Sequence, residues 1–524
     1  MEIAQFSKIV RARLAKNAGE SPLNTGQAAE STGRGSSKSM ARNSSGRDLD
    51  YEASDGIAQA MKLIRDDAKL ILISGRAGTG KSRFIRYLGN IAEGRCQIVV
   101  APTGIAAMNL RAATIHKTFQ LPFGVIDARD LEKRRIGDAL RQIDRLVIDE
   151  ISMVRADTLD AIDMTMRRLR ADPRPFGGAQ VVMVGDFLQL PPVVKQDEGE
   201  MLEHLGYPTP FAFSAKVVQD MDMKVVTLKK VWRQVDEDFI EVLGKIRTGQ
   251  ATQKEVSWLN SLTFREPRNG SKPIVLTPTR KAAESYNMEG LAAARRQRCR
   301  QLDLPQGADG AAIGEMVFEA KRTGTFSGER GRTRELPVAD RLLLLPGLRV
   351  LAVKNGASFV NGSLGVVLSV SGKTGEGEME GGHAMVLFDG QEEPVLVGPM
   401  AWEDLEHRWN SETGTIEKKV VGSFTQVPLV LGYAATIHKS QGLSLDDVRI
   451  DFGRGTFAPG QAYVALSRAT KLAGLSLARP LSLSDISTDE MLKEFLAWAS
   501  GNTRLEVVDV GYVQDRVRIS HQPS

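Results

Sequence analysis

Residues 75–82 read GRAGTGKS, directly after the apolar run KLILIS. Gly75, Gly78 and Gly80 leave the backbone free to curl, so that N–H groups of the loop, Ala77 and Thr79 among them, can surround phosphate oxygens. Lys81 then reaches the β and γ phosphates of a nucleoside triphosphate, and the Ser82 hydroxyl is a ligand for Mg²⁺. KLILIS is a short buried strand, and SRFIRYLGNIA has apolar residues at helical spacing. A strand, a glycine turn and a helix N-terminus in that order make an anion site.

Such a loop needs an acidic partner, and RLVIDEISMV supplies one. A strand ending in Asp149 and Glu150 delivers both carboxylates to the crevice at the C-terminal end of a sheet. Asp149 suits the metal ion, and Glu150 suits the water that attacks in an in-line phosphoryl transfer. A third strand, AQVVMVGDFLQLPPV, ends near Gln189, whose amide can sense a γ-phosphate; a plain polar turn before the two prolines is the alternative. Arg468 in YVALSRAT and Arg233 in LKKVWRQVDEDF are candidates to stabilise charge on the γ-phosphate, with an ordinary salt bridge as the competing reading for each.

These strands and helices alternate in two blocks. The second contains PIVLTPTRKAAESYN, PLVLGYAATIHKSQGLSLDDVRIDFG and FAPGQAYVALSRATKLAGLSLARP, so an α/β protein with two similar sheets and a cleft between them is expected. The 524 residues, 42% hydrophobic and 25% charged, are enough for several cores, and no run approaches the ~20 apolar residues of a membrane span. Two cysteines without metal-ligand spacing argue against zinc or a disulfide framework and suit a reducing, intracellular compartment. A net charge of +5 permits a polyanionic partner without requiring one.

Taken together, GRAGTGKS, APTGIAAMNLRAATIHKTF, LVIDEISMV, GDFLQLPPV, ATIHKSQGLSLDDVRIDFG and GQAYVALSRAT resemble the motif series of superfamily 1B DNA helicases, closest to the petite integration frequency (PIF) family, over about residues 55–480. The resemblance implies two tandem RecA-like P-loop domains, ATP and Mg²⁺ between them, and single-stranded DNA crossing both. It assigns Lys81 and Ser82 to the nucleotide, Asp149 and Glu150 to metal and base, Gln189 to the sensor, and Arg233 and Arg468 to the γ-phosphate. Gly442 falls where the family's fifth motif meets the nucleotide, and Gln59 resembles its adenine-reading glutamine, although the residues that normally precede that glutamine are absent. Movement 5′→3′ is likewise implied by the resemblance.

A single strand needs donors for its phosphates and flat surfaces for its bases. Pro102, Thr103 and Gly104 form a turn that can hold a phosphate, with His116, Phe119 and Phe123 following as stacking or wedge residues. Thr436, His438 and Lys439 occupy a matching turn in the second block, and Thr277, Thr279 and Arg280 a third. For each ring, a packed core position is the competing reading.

The domain map reads as an extension rich in Gly, Ser and Asn at 1–50, opening with a basic amphipathic stretch; a first RecA-like domain at 51–230 with an insertion near 119–140; and a second beginning at 231–344 and ending at 428–480. Residues 345–427, rich in Gly and β-formers, suggest a small barrel, which the resemblance makes an SH3-like insertion. A tail occupies 481–524. The expected activity is that of a monomeric, DNA-stimulated ATP-dependent helicase that moves 5′→3′ on single-stranded DNA and unwinds duplex or structured DNA, with single strands and their junctions with duplex as partners and no membrane partner. The alternatives are a RecD-like or conjugative helicase module, or an ATP-switched DNA-binding remodeler.

Overall fold

The computed structural model describes residues 55–499, apart from 91–94, 123, 128–130, 132–137, 235, 267–271, 328–335, 373–381, 411 and 414. The N-terminal extension, Phe123 and the strand-like segment LEVVDV near the C-terminus lie outside the described residues.

Six strands form the first sheet: β1 (Leu70–Gly75), β2 (Gln97–Ala101), β3 (Ala113–Thr114), β4 (Arg145–Ile148), β5 (Gln180–Gly185) and β6 (Met223–Leu228). Their order is β3-β2-β4-β5-β1-β6, and every neighbouring pair is parallel. Parallel strands are covered on both faces, which is why β1, β4 and β5 are unbroken buried runs. Helices α1 (Asp55–Arg65) and α2 (Lys81–Asn90) supply Ile57, Ala60, Ile64, Phe84, Ile85 and Leu88 to the core that includes Ile71, Val147 and Val182.

At the opposite edge of this sheet from the phosphate loop, Arg145 is buried although charged. Its Nε donates to Gln180 Oε1 at 2.6 Å and its Nη1 to Gln97 Oε1 at 3.2 Å. Gln180 Nε2 in turn donates to the Ile64 and Ala68 carbonyls, so the guanidinium ties β2, β4, β5 and the α1–β1 turn together.

The chain continues through α3 (Glu237–Arg247) and α4 (Gln253–Thr263) to β7 (Ile274–Thr277) and the long helix α5 (Arg280–Gln301). It then leaves parallel pairing. β8 (Met316–Glu319) pairs with β10 (Arg341–Leu344), while β9 (Lys321–Gly324) joins the hairpin of β15 (Met400–Asn410) and β16 (Thr415–Gln426). β11 (Arg349–Ala352), β12 (Leu364–Ser371), β13 (His383–Phe388), β14 (Val395–Val397) and β17 (Leu429–Leu431) form an antiparallel sheet of order β14-β13-β12-β11-β17. Antiparallel structure therefore runs from Met316 to Leu431, a wider span than 345–427, because β8, β9 and β10 pair among themselves and with the hairpin.

The chain returns as β18 (Ala434–Thr436), β19 (Val448–Ile450) and β20 (Leu475–Leu477), which with β7 make a second parallel sheet of order β18-β7-β19-β20. Between β19 and β20 lies the buried helix α6 (Gln461–Leu466). One apolar core joins this sheet to α3 and reaches Ala77 and Leu190 in loops of the first sheet, so the two sheets share packing at the cleft. Leu481, assigned to the tail by sequence, belongs to this core. A separate unit contains the amphipathic helix α7 (Glu490–Ala499). No helix of the described residues is long and apolar enough to cross a membrane.

Replacing Arg145 with Leu leaves the buried Gln180 amide oxygen, and the half-buried one of Gln97, without this donor. The expected cost is about 2–3 kcal/mol, the range of hydrogen bonds to charged groups. It is read as a lower urea midpoint with an unchanged slope.

Candidate active site

In the first sheet β4, β5 and β1 are neighbours, so the residues after their C-terminal ends meet at one edge. The loop after β1 turns through two glycines with positive φ, Gly78 at 79° and Gly80 at 91°. A Cβ on Gly78 would lie 2.5 Å from Arg233 Cβ, and the Gly78 carbonyl accepts the Trp232 N–H at 2.8 Å. Glycine is thus required both by conformation and by the approach of the segment that carries Arg233. Thr79 Oγ1 donates to the Arg76 carbonyl at 2.9 Å, and Lys81 Nζ donates to the carbonyls of Gly75 at 2.7 Å and Arg76 at 3.0 Å. Burial lowers the lysine pKa, while Asp186, Glu150 and Asp149 pull it back up.

Asp149 and Glu150 follow β4. Burial, together with the neighbouring Glu150, pushes the Asp149 carboxyl up to about 7. Burial likewise raises Glu150, opposed by Lys81 and Arg468. Two adjacent buried carboxyls that resist ionisation are a site short of positive charge, and Ser82 and both acids line the same cleft. Hydroxyl and carboxylate oxygens are the hard donors that suit Mg²⁺, so the residues fit that ion. Among the described residues no group of three or more His, Cys, Asp or Glu is placed to hold a metal ion.

After β5, Asp186 is gripped by Arg247 from α3, with contacts of 2.7 and 3.0 Å. Burial opposes its ionisation, but the Arg247 charge and hydrogen bonds prevail and hold the carboxyl below its ordinary value. Gln189 Nε2 donates to Asp186 Oδ2 at 3.3 Å, which places the expected sensor on this ion pair. The other sheet closes in from α6 and its flanks. Tyr463 OH accepts the Ala77 N–H at 3.0 Å, and a Cβ on Gly460 would lie 2.5 Å from the Gln189 carbonyl.

The two arginines are placed differently. Arg233 is half-buried, with Nη1 3.3 Å from the Ser467 carbonyl and Nη2 3.5 Å from the Gly442 carbonyl, so it lies across the junction on long, weak bonds. Arg468 is fully buried behind it, its guanidinium donating to Val464 O, Ser440 O, Leu443 O and Ser467 Oγ. Burial and the Arg233 charge push its pKa down to about 9. Gly442 is exposed with φ 85°.

A cleft of about 730 Å³ runs from Ser82, Asp149 and Glu150 to Thr103, Thr279, Arg280, Thr436, His438, Lys439 and Gly442. Three threonines in it cap turns: Thr103 Oγ1 accepts from Ala106 N, Thr279 Oγ1 from Ala282 N and Thr436 Oγ1 from Lys439 N. Pro102 and Gly104 flank the first of these turns and are half-buried.

Two sequence expectations, Phe119 and Thr277, need correction. Phe119 is fully buried and cannot stack on a base; its ring belongs to the core. Thr277 is also buried, its hydroxyl donating to the Thr279 carbonyl, so it braces the turn from inside. His116 is half-buried, its pKa lowered by burial and by Arg155, and it does not line the cleft. Gln59 is exposed on α1, opposite the stripe Ile57, Ala60, Met61 and Ile64 that faces the sheet. The residues missed by sequence reading are Arg247, Tyr463, Gln441, Val193 and Phe457. Phe457, 65% exposed, stacks on His438 with ring centroids 6.1 Å apart, and Val193, 69% exposed, lines the same cleft. An apolar residue beside a glycine-rich turn carries no periodic signal, so only proximity reveals it.

The Asp186 pair makes stability depend on pH. Because the folded pKa lies below the unfolded value near 3.9, its contribution is complete above about pH 5 and is lost as pH falls through the folded value. The stability difference between wild type and Asp186→Asn should therefore be flat from about pH 7 to 5 and shrink below about pH 4. Urea unfolding across that range measures it.

The model for PIF1-like helicases matches residues 52–257, and a second helicase model matches residues 420–508. ATP-dependent DNA helicase PIF1 of Mus musculus is 32% identical over 421 residues, covering 77% of this chain and 57% of the mouse protein. ATP-dependent DNA helicase PIF7 of Trypanosoma brucei brucei is 30% identical over 470 residues, covering 81% of this chain and 46% of its own length. The chain thus spans about half the length of these eukaryotic relatives. The Bdellovibrio bacteriovorus helicase Pif1 is 31% identical over 436 residues, which cover 82% of this chain and 88% of that protein. Among solved structures, Bacteroides sp. Pif1 in complex with ADP-AlF4 superposes with a TM-score of 0.72 at 32% identity, covering 86% of this chain and 97% of its own. Candida albicans Pif1 gives a TM-score of 0.61 at 29% identity, covering 84% of this chain and 98% of its own. With the phosphate loop, the paired acids and the second sheet's loops converging on one cleft, and with likeness running along nearly the whole of the bacterial proteins, the chain belongs to the PIF1-like helicase family.

Proposed function

We propose that this chain is an ATP-dependent DNA helicase that moves 5′→3′ along single-stranded DNA and opens duplex at strand junctions. The observation that carries the reading is one continuous cleft in which phosphate-loop and acidic residues of the first sheet face threonine-capped turns of both sheets. Its two parallel sheets are read as tandem RecA-like domains, and the antiparallel strands between β7 and β18 as an SH3-like insertion. The crystal structure of Bacteroides Pif1 bound to single-stranded DNA, and the structural work on DNA unwinding at forked double-stranded DNA by two coordinating Pif1 helicases, support a DNA partner. A reducing, intracellular compartment suits the two free cysteines, Cys96 and Cys299.

In this reading the loop N–H groups and Lys81 bind the triphosphate, and Ser82 and Asp149 would hold Mg²⁺, which would supply charge neutralisation to the transferring phosphoryl group. Glu150 orients the attacking water and accepts its proton. Its backbone is left-handed, φ 48° and ψ 46°, and its carboxylate lines the cleft and accepts from Gln441 Nε2. Arg233 reaches the γ-phosphate, because its long bonds at the junction are cheaply exchanged, while Arg468 holds the 440–443 turn and the end of α6 beneath it. Gln189, fixed to the Asp186–Arg247 pair, transmits the state of the γ-phosphate to α3. Lys439 and Arg280 provide charge for the DNA backbone, and Phe457 on His438 a flat face for a base.

Lys81→Ala should abolish ATP turnover while single-strand binding, measured by filter retention, stays near wild type. Equal loss of both would show that the sites are not separate. Arg233→Ala should lower turnover by roughly 10³ with little change in melting temperature. Arg468→Ala should lower turnover and stability together, since it strips four buried acceptors of their donor. Unwinding of a 5′-tailed duplex with ATP and Mg²⁺, and not of a 3′-tailed or blunt one, tests the direction. Hydrolysis without DNA stimulation or unwinding would favour a nucleotide-switched clamp instead.

A further inference from the structure

A motor must let the strand-holding turns and the nucleotide site sense one another, and one side chain bridges them. Gln441 ends the turn that begins at Thr436 and contains His438 and Lys439, all of which line the cleft. That turn is internally rigid. Ser440 N–H donates to Thr436 O at 3.0 Å, Gln441 N–H to His438 O at 3.2 Å and Lys439 N–H to Thr436 Oγ1 at 3.2 Å. A displacement of Lys439 by a bound phosphate must therefore move Gln441 as well.

The Gln441 side chain crosses to the first sheet. Its Nε2 donates to Glu150 Oε2 at 2.9 Å and lies 3.5 Å from Gln189 Oε1, so the two hydrogens of one amide serve the base and the sensor together. An amide is suited to this. It orients a carboxylate without the full charge that would quench its basicity, as a lysine there would. We propose that Gln441 is a positioning residue that couples strand binding to ATP chemistry, by linking the strand-facing turn to Glu150 and Gln189. The inference rests on the helicase reading above.

Because coupling between two binding sites is reciprocal, it can be read from affinities alone. The measurement is the affinity of the full chain for a fluorescein-labelled oligothymidylate, by anisotropy, with and without a non-hydrolysable ATP analogue. Wild type should change its affinity by roughly 5- to 150-fold on adding the analogue, the usual range for coupled sites. In Gln441→Ala and in the near-isosteric Gln441→Glu, where Glu150 would repel the new carboxylate, that ratio should fall to within about a factor of two of one. Lys439→Ala should weaken strand binding yet keep the wild-type ratio, since it removes a contact and not the link. As a second readout, the DNA stimulation of kcat should collapse in both Gln441 variants while KM for ATP stays near wild type. A wild-type ratio in Gln441→Ala would overturn the inference and leave the helicase reading standing. A wild type that binds the strand but ignores the analogue, with hydrolysis indifferent to DNA, would overturn the helicase reading and the inference with it.

Discussion

The cleft edge of the first sheet encloses Lys81, Asp149, Glu150 and Asp186 from that sheet and Arg233, Arg247 and Arg468 from the rest of the chain. Asp149, Asp186 and Arg468 are buried and the other four half-buried, and charges so placed are tolerable only when compensated, since an isolated buried ion would neutralise instead. Asp186 with Arg247 is the one pair fully satisfied within the protein. The rest are left in tension, with Asp149 and Glu150 held from ionising freely and Lys81 pulled toward them. A metal-bound triphosphate is the partner whose charges would complete that set.

Compensation on this scale needs both sheets, and the chain's route provides them. Parallel pairing puts the loops after β1, β4 and β5 side by side, and β7 with β18 does the same for the turns at Thr279 and Thr436. The long excursion between β7 and β18 is antiparallel and adds Asn355 and Asn361 to the cleft wall. Its β15–β16 hairpin also reaches the first sheet's side: Lys117 Nζ is 2.5 Å from Asp404 Oδ1 and 2.9 Å from the Leu405 carbonyl, and Lys418 Nζ donates to the Arg111 carbonyl at 2.8 Å. The antiparallel excursion is thereby tied to the flank of the first sheet.

Several cross-sheet contacts at the site are hydrogen bonds from neutral donors: Ala77 N–H to Tyr463 OH, Gln441 to Glu150, and Gln234 to the Ser467 and Ala469 carbonyls. Such bonds contribute about 1 kcal/mol each, so a modest change of contacts with a ligand can rearrange them. The ion pair and the shared apolar core through Phe239, Leu243 and Leu190 keep the sheets associated meanwhile. Firm association beside easily exchanged polar contacts is the property a cyclically closing cleft requires.

Glycine spacing, apolar strand runs and the acids that follow them were legible in the sequence because each signal is local. Gly78 needs positive φ whatever surrounds it, and RLVI followed by Asp149 reads as a strand end from its neighbours alone. The capping threonines Thr103, Thr279 and Thr436 were visible for the same reason, as each bonds an N–H three residues on. Whether a ring faces core or cleft is not local: Phe119 and Phe457 have similar sequence surroundings, and only packing buries the first and exposes the second. Gln59 shows the same limit, since helical phase turns it outward and no motif encodes that. Arg247 and Asp186 lie 61 positions apart and Gln441 and Glu150 291 apart, so their meeting depends on how the two sheets stack. The sequence by itself determined the chemistry available to this chain; the tertiary structure decided which of those groups share a dry, enclosed space, because burial and charge compensation arise only when distant segments close around one another.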